Sequence, residues 1–347
     1  MGRNLRVVLA GCGGMSKAWL NTATKIEGLE VVGLVDIVAD AARARRDEYG
    51  LTGAGIYTDL DEALRESKPD ILFDVTIPEV HTFNALSAFA HGVHVLSEKP
   101  MSHSIADAQR ALDAAQAAGV QYSVMQNRRF QRQIRRVREL VRSGVLGELT
   151  TVNVDFYVGA HFGGFRDRME HVLLLDMAIH TFDALRYLSG ADAEAVYCRE
   201  WNPAGSWYDH DASAVAIFEM TRGITATYRG SWCAEGLRTT WESDWRLIGT
   251  RGSARWDGGD GFQAEVVPEG APAAFMRVVE PVELPELDTT GFEDGHDSCI
   301  RNFVEAVCSG AVPETPASDN IKSLAMVFGA IASAEAGRRQ VVDSDSR

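Results

Sequence analysis

Long apolar runs are missing from this 347-residue chain. None approaches the ~18 residues that a membrane helix needs, so no membrane role is expected. The stretch from Leu5 to Ala10 is short and runs into glycines rather than an export cleavage site. Cysteine is scarce and scattered: Cys12, Cys198, Cys233, Cys299 and Cys308 form no CxxC pair. That excludes a disulfide framework and a structural zinc site, and it fits reduced thiols in a cytoplasm. Positive charge is in deficit as well, with Lys+Arg at 34 against Asp+Glu at 49, a net charge of −15. Such a surface repels phosphate backbones and anionic lipid, so nucleic-acid partners are not expected. What remains is ordinary globular composition, 46% apolar and 24% charged, without repeats or low-complexity tracts. The length suggests two domains with cores that need no covalent staple.

The first 125 or so residues alternate short apolar runs with helical patterns. Strand candidates are Leu5 to Ala10, Val31 to Asp36, Ile71 to Thr76 and Val93 to Ser97. Between the last of these and Gly119, the residues Ile105, Ala108, Leu112 and Ala115 recur at helical spacing after Ser104. Such alternation predicts right-handed parallel crossovers, hence a doubly wound α/β sheet of Rossmann type over residues 1–125. A basic helix follows, with Phe130, Ile134, Val137 and Val141 as its apolar stripe and seven arginines from Arg128 to Arg142. In so acidic a chain these arginines read as a solvated face, with one or two, Arg128 among them, turned toward an anionic ligand. From 126 to 347 the texture is α+β, and a large, mostly antiparallel sheet is expected. Strands are predicted over Leu149 to Tyr157, Ala195 to Glu200, Ala212 to Met220, Ile224 to Trp232 and Trp245 to Ile248. One helix is expected from Met169 to Leu188, and two more, about Asp297 to Cys308 and Asp319 to Ala336, end the chain.

The sequence Gly11-Cys12-Gly13-Gly14-Met15-Ser16 follows the first strand and opens a helix. Glycine at 11 permits a tight turn, and glycine at 13 lets backbone N–H groups approach a pyrophosphate at the helix N-terminus. Gly11, Gly13, Gly14 and Met15 are therefore cofactor-binding candidates. Asp36 ends the second strand, 25 residues after Gly11. A carboxylate there accepts from adenosine ribose hydroxyls and repels a 2′-phosphate, so NAD is favoured over NADP. Loops at the C-terminal ends of parallel strands line the ligand crevice. That places Thr76, Pro78 and His81 near the cofactor, although His81 reads equally as a structural residue in the first turn of a helix. Glu98-Lys99-Pro100 occupies the next such loop, where Lys99 can stabilise an alkoxide or form a plain surface salt bridge.

The glycine turn at 11–16, the Glu98-Lys99-Pro100 loop and Asp176-Met-Ala-Ile-His180 together resemble the Gfo/Idh/MocA family of glucose–fructose oxidoreductases and inositol dehydrogenases. The resemblance extends through Gln126 to Phe130 and Asn320 to Met326. It implies an N-terminal Rossmann domain and a C-terminal α/β domain with an open sheet, the terminal helices packing back on the first domain. It implies a nicotinamide cofactor and reversible oxidation of a secondary hydroxyl on a sugar or cyclitol. Homodimers or homotetramers through the C-terminal sheet are also implied. Carried over, Lys99, Asp176 and His180 are the catalytic set, with Glu98 and Lys99 beside the cofactor. Asp176 and His180 stand four residues apart and so share a helix face, and an imidazole titrates in the range needed to take a hydroxyl proton. No metal is expected, because hydride chemistry here needs none.

The segment from His161 to His171 is richer in polar groups than the glycine-rich stretch of many relatives. His161, Arg166 and His171 are substrate candidates. Six of the seven tryptophans fall between 201 and 256. Trp207, Tyr208, His210 and Trp232 are candidates for stacking on sugar faces, the alternative being that the tryptophans fill the sheet core or an interface. The nearby arginines leave room for an acidic sugar. Two further functions stay open: a glycosidase that holds NAD and oxidises transiently, and a sensing regulator without catalysis on the same scaffold.

Overall fold

The computed structural model describes residues 4–288 and 295–344. The chain divides into two compact units, with residues 4–130 and 295–321 in the first, and 131–288 and 322–344 in the second.

The first unit begins with β1 (Leu5–Ala10), α1 (Ser16–Ala23), β2 (Leu29–Val35), α2 (Ala39–Glu48), β3 (Gly55–Tyr57) and α3 (Leu60–Ser67). It continues with β4 (Ile71–Asp74), α4 (Pro78–Ala90), β5 (His94–Ser97), α5 (Ile105–Ala118) and β6 (Tyr122–Val124). The strands form one parallel sheet in the order β3-β2-β1-β4-β5-β6, the doubly wound arrangement expected. The strand order reverses between β1 and β4, which opens a crevice at their C-terminal ends. Val7, Leu9, Trp19, Phe73 and Leu96 are buried together in the core. α5 shows how local sequence sets an element's limits: the Ser104 hydroxyl accepts from the Asp107 amide at its start, and Gly119 closes it in the left-handed region at φ 67. β3 and β6 escape the sequence pattern because each has only three residues, too few to show a period.

The second unit holds α6 (Arg132–Arg142), β7 (Leu149–Tyr157), α7 (Ile179–Ser189), β8 (Ala193–Trp201), β9 (Ser213–Met220) and β10 (Thr225–Ser231). β11 (Asp244–Gly249), β12 (Gly252–Trp256), β13 (Phe262–Val266) and β14 (Glu280–Pro281) follow. After the return of the chain, α8 (His296–Ser309) packs against α1 in the first unit. α9 (Ala317–Ala336) belongs to the second unit from residue 322 onward, and β15 (Gln340–Val341) closes the sheet. The nine strands run β14-β13-β12-β11-β7-β10-β9-β8-β15, antiparallel throughout except for the parallel pair β7–β10. Burial alternates along β9 and β10, so one face is covered and the other open. Phe182 of α7 meets Phe218 and Tyr228 edge-on at 4.9 and 5.2 Å, which seats that helix on the covered face.

Two local expectations need correction. The buried stripe of α6 is Ile134, Val137 and Leu140, so Leu140 takes the place assigned to Val141. Its arginines are largely absorbed within the unit: Arg136 and Arg132 pair with Glu286 at 2.7 and 3.3 Å, and Arg138 lies 3.9 Å over the Tyr187 ring. The helix expected from Met169 also starts later. His171 adopts the left-handed region at φ 50, and a π-helical turn over Leu173–Ala178 precedes α7. Among the described residues, no helix is long and apolar enough to cross a membrane.

His171 anchors the entry to that turn. Its Nδ1 lies 2.7 Å from a carboxylate oxygen of Glu200, whose side chain is only 2% exposed. The Glu200 hydrogen bond raises the imidazole pKa above its ordinary value, outweighing partial burial, with Glu335 and Glu170 adding to the rise. Burial raises the Glu200 carboxyl as well. A raised value in the folded state means that folding takes up a proton. The stabilisation is therefore full below the ordinary imidazole value and is lost as pH rises through the raised one. The urea midpoint of the protein should fall as pH rises from below the ordinary imidazole value of about 6.5 through the raised one, and His171→Gln should flatten that fall. An identical pH dependence in wild type and variant would contradict this role of the pair.

Candidate active site

In the first unit the chain leaves β1 through Gly11, at φ 90. A Cβ there would lie 2.4 Å from the Val75 carbonyl oxygen, so only glycine allows this turn to press against the end of β4. The Gly11 amide donates to the Val35 carbonyl at 2.8 Å, and the Cys12 amide donates to the Asp36 carboxylate at 2.8 Å. The other Asp36 oxygen accepts from the Val38 amide at 2.8 Å. Asp36 is thus held at the mouth of the sheet beside the glycine turn. Burial pushes the Cys12 thiol up to about 12, with the Asp36 charge adding to the rise, so Cys12 is no nucleophile. Cβ atoms added at Gly13 or Gly14 would meet nothing within 4 Å. The Ser16 hydroxyl donates to the Gly13 carbonyl, and no side chain caps the start of α1.

Four large apolar side chains are exposed along this strand edge: Met15 at 49%, Ile37 at 91%, Val38 at 57% and Ile77 at 56%. Open backbone at a helix N-terminus, a fixed carboxylate and exposed apolar flanks are what a dinucleotide requires of its pyrophosphate, ribose and ring sites. The residues present therefore fit the cofactor. Arg45 of α2 is a member that sequence reading missed. Its guanidinium donates to the Gly13 carbonyl at 3.1 Å and to the Ser16 hydroxyl at 2.9 Å, bracing the turn from outside. No spacing signal connects residues 13 and 45. Ile37 and Val38 did leave a signal, since two β-branched residues stand where a polar turn is usual.

Beyond β4, the Asp74 carboxylate accepts from the Thr76 and Asn84 side chains, and Pro78 opens α4. His81 is fully buried, its ring spanning the Pro100 carbonyl at 2.8 Å and the Thr76 carbonyl at 3.1 Å. It ties two crevice loops together. Glu98 is buried too, accepting from the Trp19 indole at 2.9 Å. The half-buried Lys99 follows, joined to Pro100 by a cis peptide bond. Arg128 is buried at 6% exposure, and Arg129 pairs with Asp319 at 2.7 Å.

In the second unit, Asp176 lies within the π-helical turn and His180 in the first turn of α7. Such turns widen the helix locally and are frequent at functional sites. Arg166 donates through Nε to Asp176 Oδ2 at 2.7 Å, and the carboxylate side chain is 12% exposed. His161 stacks on Trp207 at 3.7 Å, while its Nε2 lies 2.8 Å from Glu235. Tyr208 is buried, its hydroxyl on the Ala160 carbonyl at 3.1 Å, and His210 is exposed. Trp232, Trp245 and Trp256 are at most 2% exposed and fill the covered side of the sheet. The structure thus joins Arg166 to Asp176 and His161 to Trp207, and it places His171 on Glu200.

Comparison with known proteins agrees with this architecture. The family model "Oxidoreductase family, NAD-binding Rossmann fold" matches residues 5–126, and the model "GFO/IDH/MocA C-terminal domain" matches residues 134–255. A D-apiose dehydrogenase of Paraburkholderia graminis is 24% identical over 340 residues, covering 97% of this chain and 89% of the relative. An inositol 2-dehydrogenase of an Arthrobacter species is 30% identical over 235 residues, covering 65% of this chain and 66% of that protein. Among solved structures, an oxidoreductase from Agrobacterium radiobacter in complex with NAD+, L-tartaric acid and magnesium superposes with a TM-score of 0.84. It is 21% identical, and the match covers 98% of each chain. The two family models follow one another along the chain just as the two sheets do, and the protein belongs to the Gfo/Idh/MocA family of NAD-binding oxidoreductases.

Proposed function

We propose that the protein is an NAD-dependent dehydrogenase acting on a secondary hydroxyl of a sugar, sugar acid, glycoside or cyclitol. The observation that carries the cofactor half is the Asp36 carboxylate, fixed by the Cys12 and Val38 amides beside an open glycine turn. It meets ribose hydroxyls well and a 2′-phosphate badly, which favours NAD over NADP. The substrate class rests on the family and on relatives that are named as dehydrogenases of D-apiose and inositol. When bound, NAD supplies the hydride acceptor. His180 takes the proton of the hydroxyl being oxidised. Lys99 donates to the substrate oxygen as negative charge develops there. Asp176, held by the Arg166 guanidinium, orients the substrate by accepting from a neighbouring hydroxyl.

Lys99→Ala and His180→Ala should each lower turnover by about 10²-fold or more. The substrate for that assay comes from a screen of cyclitols, aldoses, uronates and glycosides with NAD, read at the nicotinamide absorbance. NADH binding, followed by its fluorescence, should persist in both variants. Undiminished turnover in both would remove the assignment. Glycoside cleavage without NADH accumulation, by protein that carries NAD through purification, would point instead to the redox-neutral hydrolase.

A second copy of the chain is the proposed macromolecular partner. On the open face of the sheet, Tyr197, Val215 and Ile217 of β8 and β9 are 48%, 36% and 45% exposed. Such a cluster on alternate strand positions suits burial against an identical face. Sedimentation should show a dimer or tetramer, and Ile217→Lys should shift it toward monomer. A monomeric wild type at micromolar concentration would contradict this.

A further inference from the structure

Near Asp176, one group of side chains is not accounted for by the proposed reaction. Phe162 and Phe165 are each 51% exposed, and Trp241 is 45% exposed. Gly163 and Gly164 lie between the two phenylalanines, at φ 68 and 75. That left-handed pair folds the loop back, so the two rings lie on one guanidinium, Arg166 sitting 5.1 Å from the Phe162 centroid and 4.7 Å from that of Phe165. Phe162 in turn lies 6.3 Å from Trp241. The planar groups therefore follow one another as Trp241, Phe162, Arg166 and Phe165, and Arg166 bonds the Asp176 carboxylate. Behind them stands Trp232, 5.8 Å from both Phe162 and Trp241 and only 2% exposed. Its indole nitrogen is buried and has no hydrogen-bond partner.

We propose that Trp241 and Phe162, backed by Trp232, form a stacking subsite for a second ring attached to the reacting sugar, so that the substrate is a glycoside rather than a free monosaccharide or cyclitol. This rests on the sugar dehydrogenase reading given above. The chemistry of the stripe matches such a ligand. The apolar face of a ring lies on aromatic side chains, while hydroxyls at its edge meet the Arg166–Asp176 pair. The extent of the stripe decides between one ring and two. A reacting sugar has to engage Asp176 and His180 and therefore covers the Arg166 end. Trp241 adjoins Phe162 at 6.3 Å and Phe162 adjoins the Arg166 guanidinium at 5.1 Å, so the aromatic surface reached from the Arg166 end comprises two rings. Three half-exposed aromatic side chains with one charged edge also differ from a broad apolar patch for protein docking.

The test pairs D-glucose, D-galactose and D-xylose with their phenyl β-glycosides, using the full-length protein loaded with NAD. Binding is read by calorimetry and tryptophan fluorescence, and oxidation by NADH absorbance. At least one phenyl glycoside should bind about tenfold more tightly than its free sugar, with tryptophan quenching. Trp241→Ala and Phe162→Ala should bring that ratio close to one, whereas Trp241→Phe, which keeps a ring, should retain most of it. Equal binding within all three pairs overturns the subsite, as does a ratio that survives both alanine variants. Oxidation of free sugars without any glycoside preference overturns the subsite and leaves the dehydrogenase reading standing. Glycoside binding with the expected variant pattern but no oxidation across the panel supports the subsite and counts only against these three sugars as the oxidised ring.

Discussion

The first unit depends on one contact between two backbone segments: the approach of the Gly11 turn to the Val75 carbonyl. Only a residue without Cβ allows it, because the added carbon would lie 2.4 Å from that oxygen. The approach brings the end of β1 against the end of β4, at the point where the sheet order reverses. From there the Cys12 amide reaches the Asp36 carboxylate, and the helix N-terminus is left open for an anion. The placement of the Asp36 carboxylate and of the uncapped start of α1 thus follows from a single steric constraint. Arg45 adds to it from α2 by holding the Gly13 carbonyl and the Ser16 hydroxyl, so the turn is fixed from both sides.

The second unit reaches similar definition by different means. Its covered face is sealed by α7 through Phe182, and the π-helical turn before α7 carries Asp176. Left alone, a widened turn gives up regular hydrogen bonding and is held only by its surroundings. Here the surroundings are specific. Arg166 grips Asp176 from outside, and His171 docks on the buried Glu200 just before the turn begins. One of the contacts is an ion pair with 12% of its acid exposed, and the other depends on an imidazole proton. An ion pair and a proton-dependent contact therefore hold the same short stretch of backbone.

Much of the fold was legible in the sequence because burial on both faces writes continuous apolar runs, as in β1 and β4, and half-burial writes alternation, as in β9. β3, β6 and β15 were not legible, since two or three residues carry no period. β12 and β13 were missed for another reason: they begin at glycine or follow a run of turn residues, and their outward positions are polar. The glycine turn and Asp36 could be read together because strand, turn and acid fall in sequence order. Arg45 could not be, and neither could the clamp that His81 forms between the Thr76 and Pro100 carbonyls, since each joins residues far apart in the chain by geometry alone. Among the aromatic residues, a single sequence cannot separate Trp232, which is buried, from Trp241, which is half-exposed; only the packing of the loop after β10 distinguishes them.

The most direct measurement of the central claim is a pair of fluorescence titrations of the unmodified protein, one with NADH and one with NADPH, at the same ionic strength. A fixed Asp36 carboxylate beside an open pyrophosphate turn predicts saturable NADH binding, at least about tenfold tighter than NADPH. Equal affinity for the two, or binding of neither, would contradict the account at its foundation.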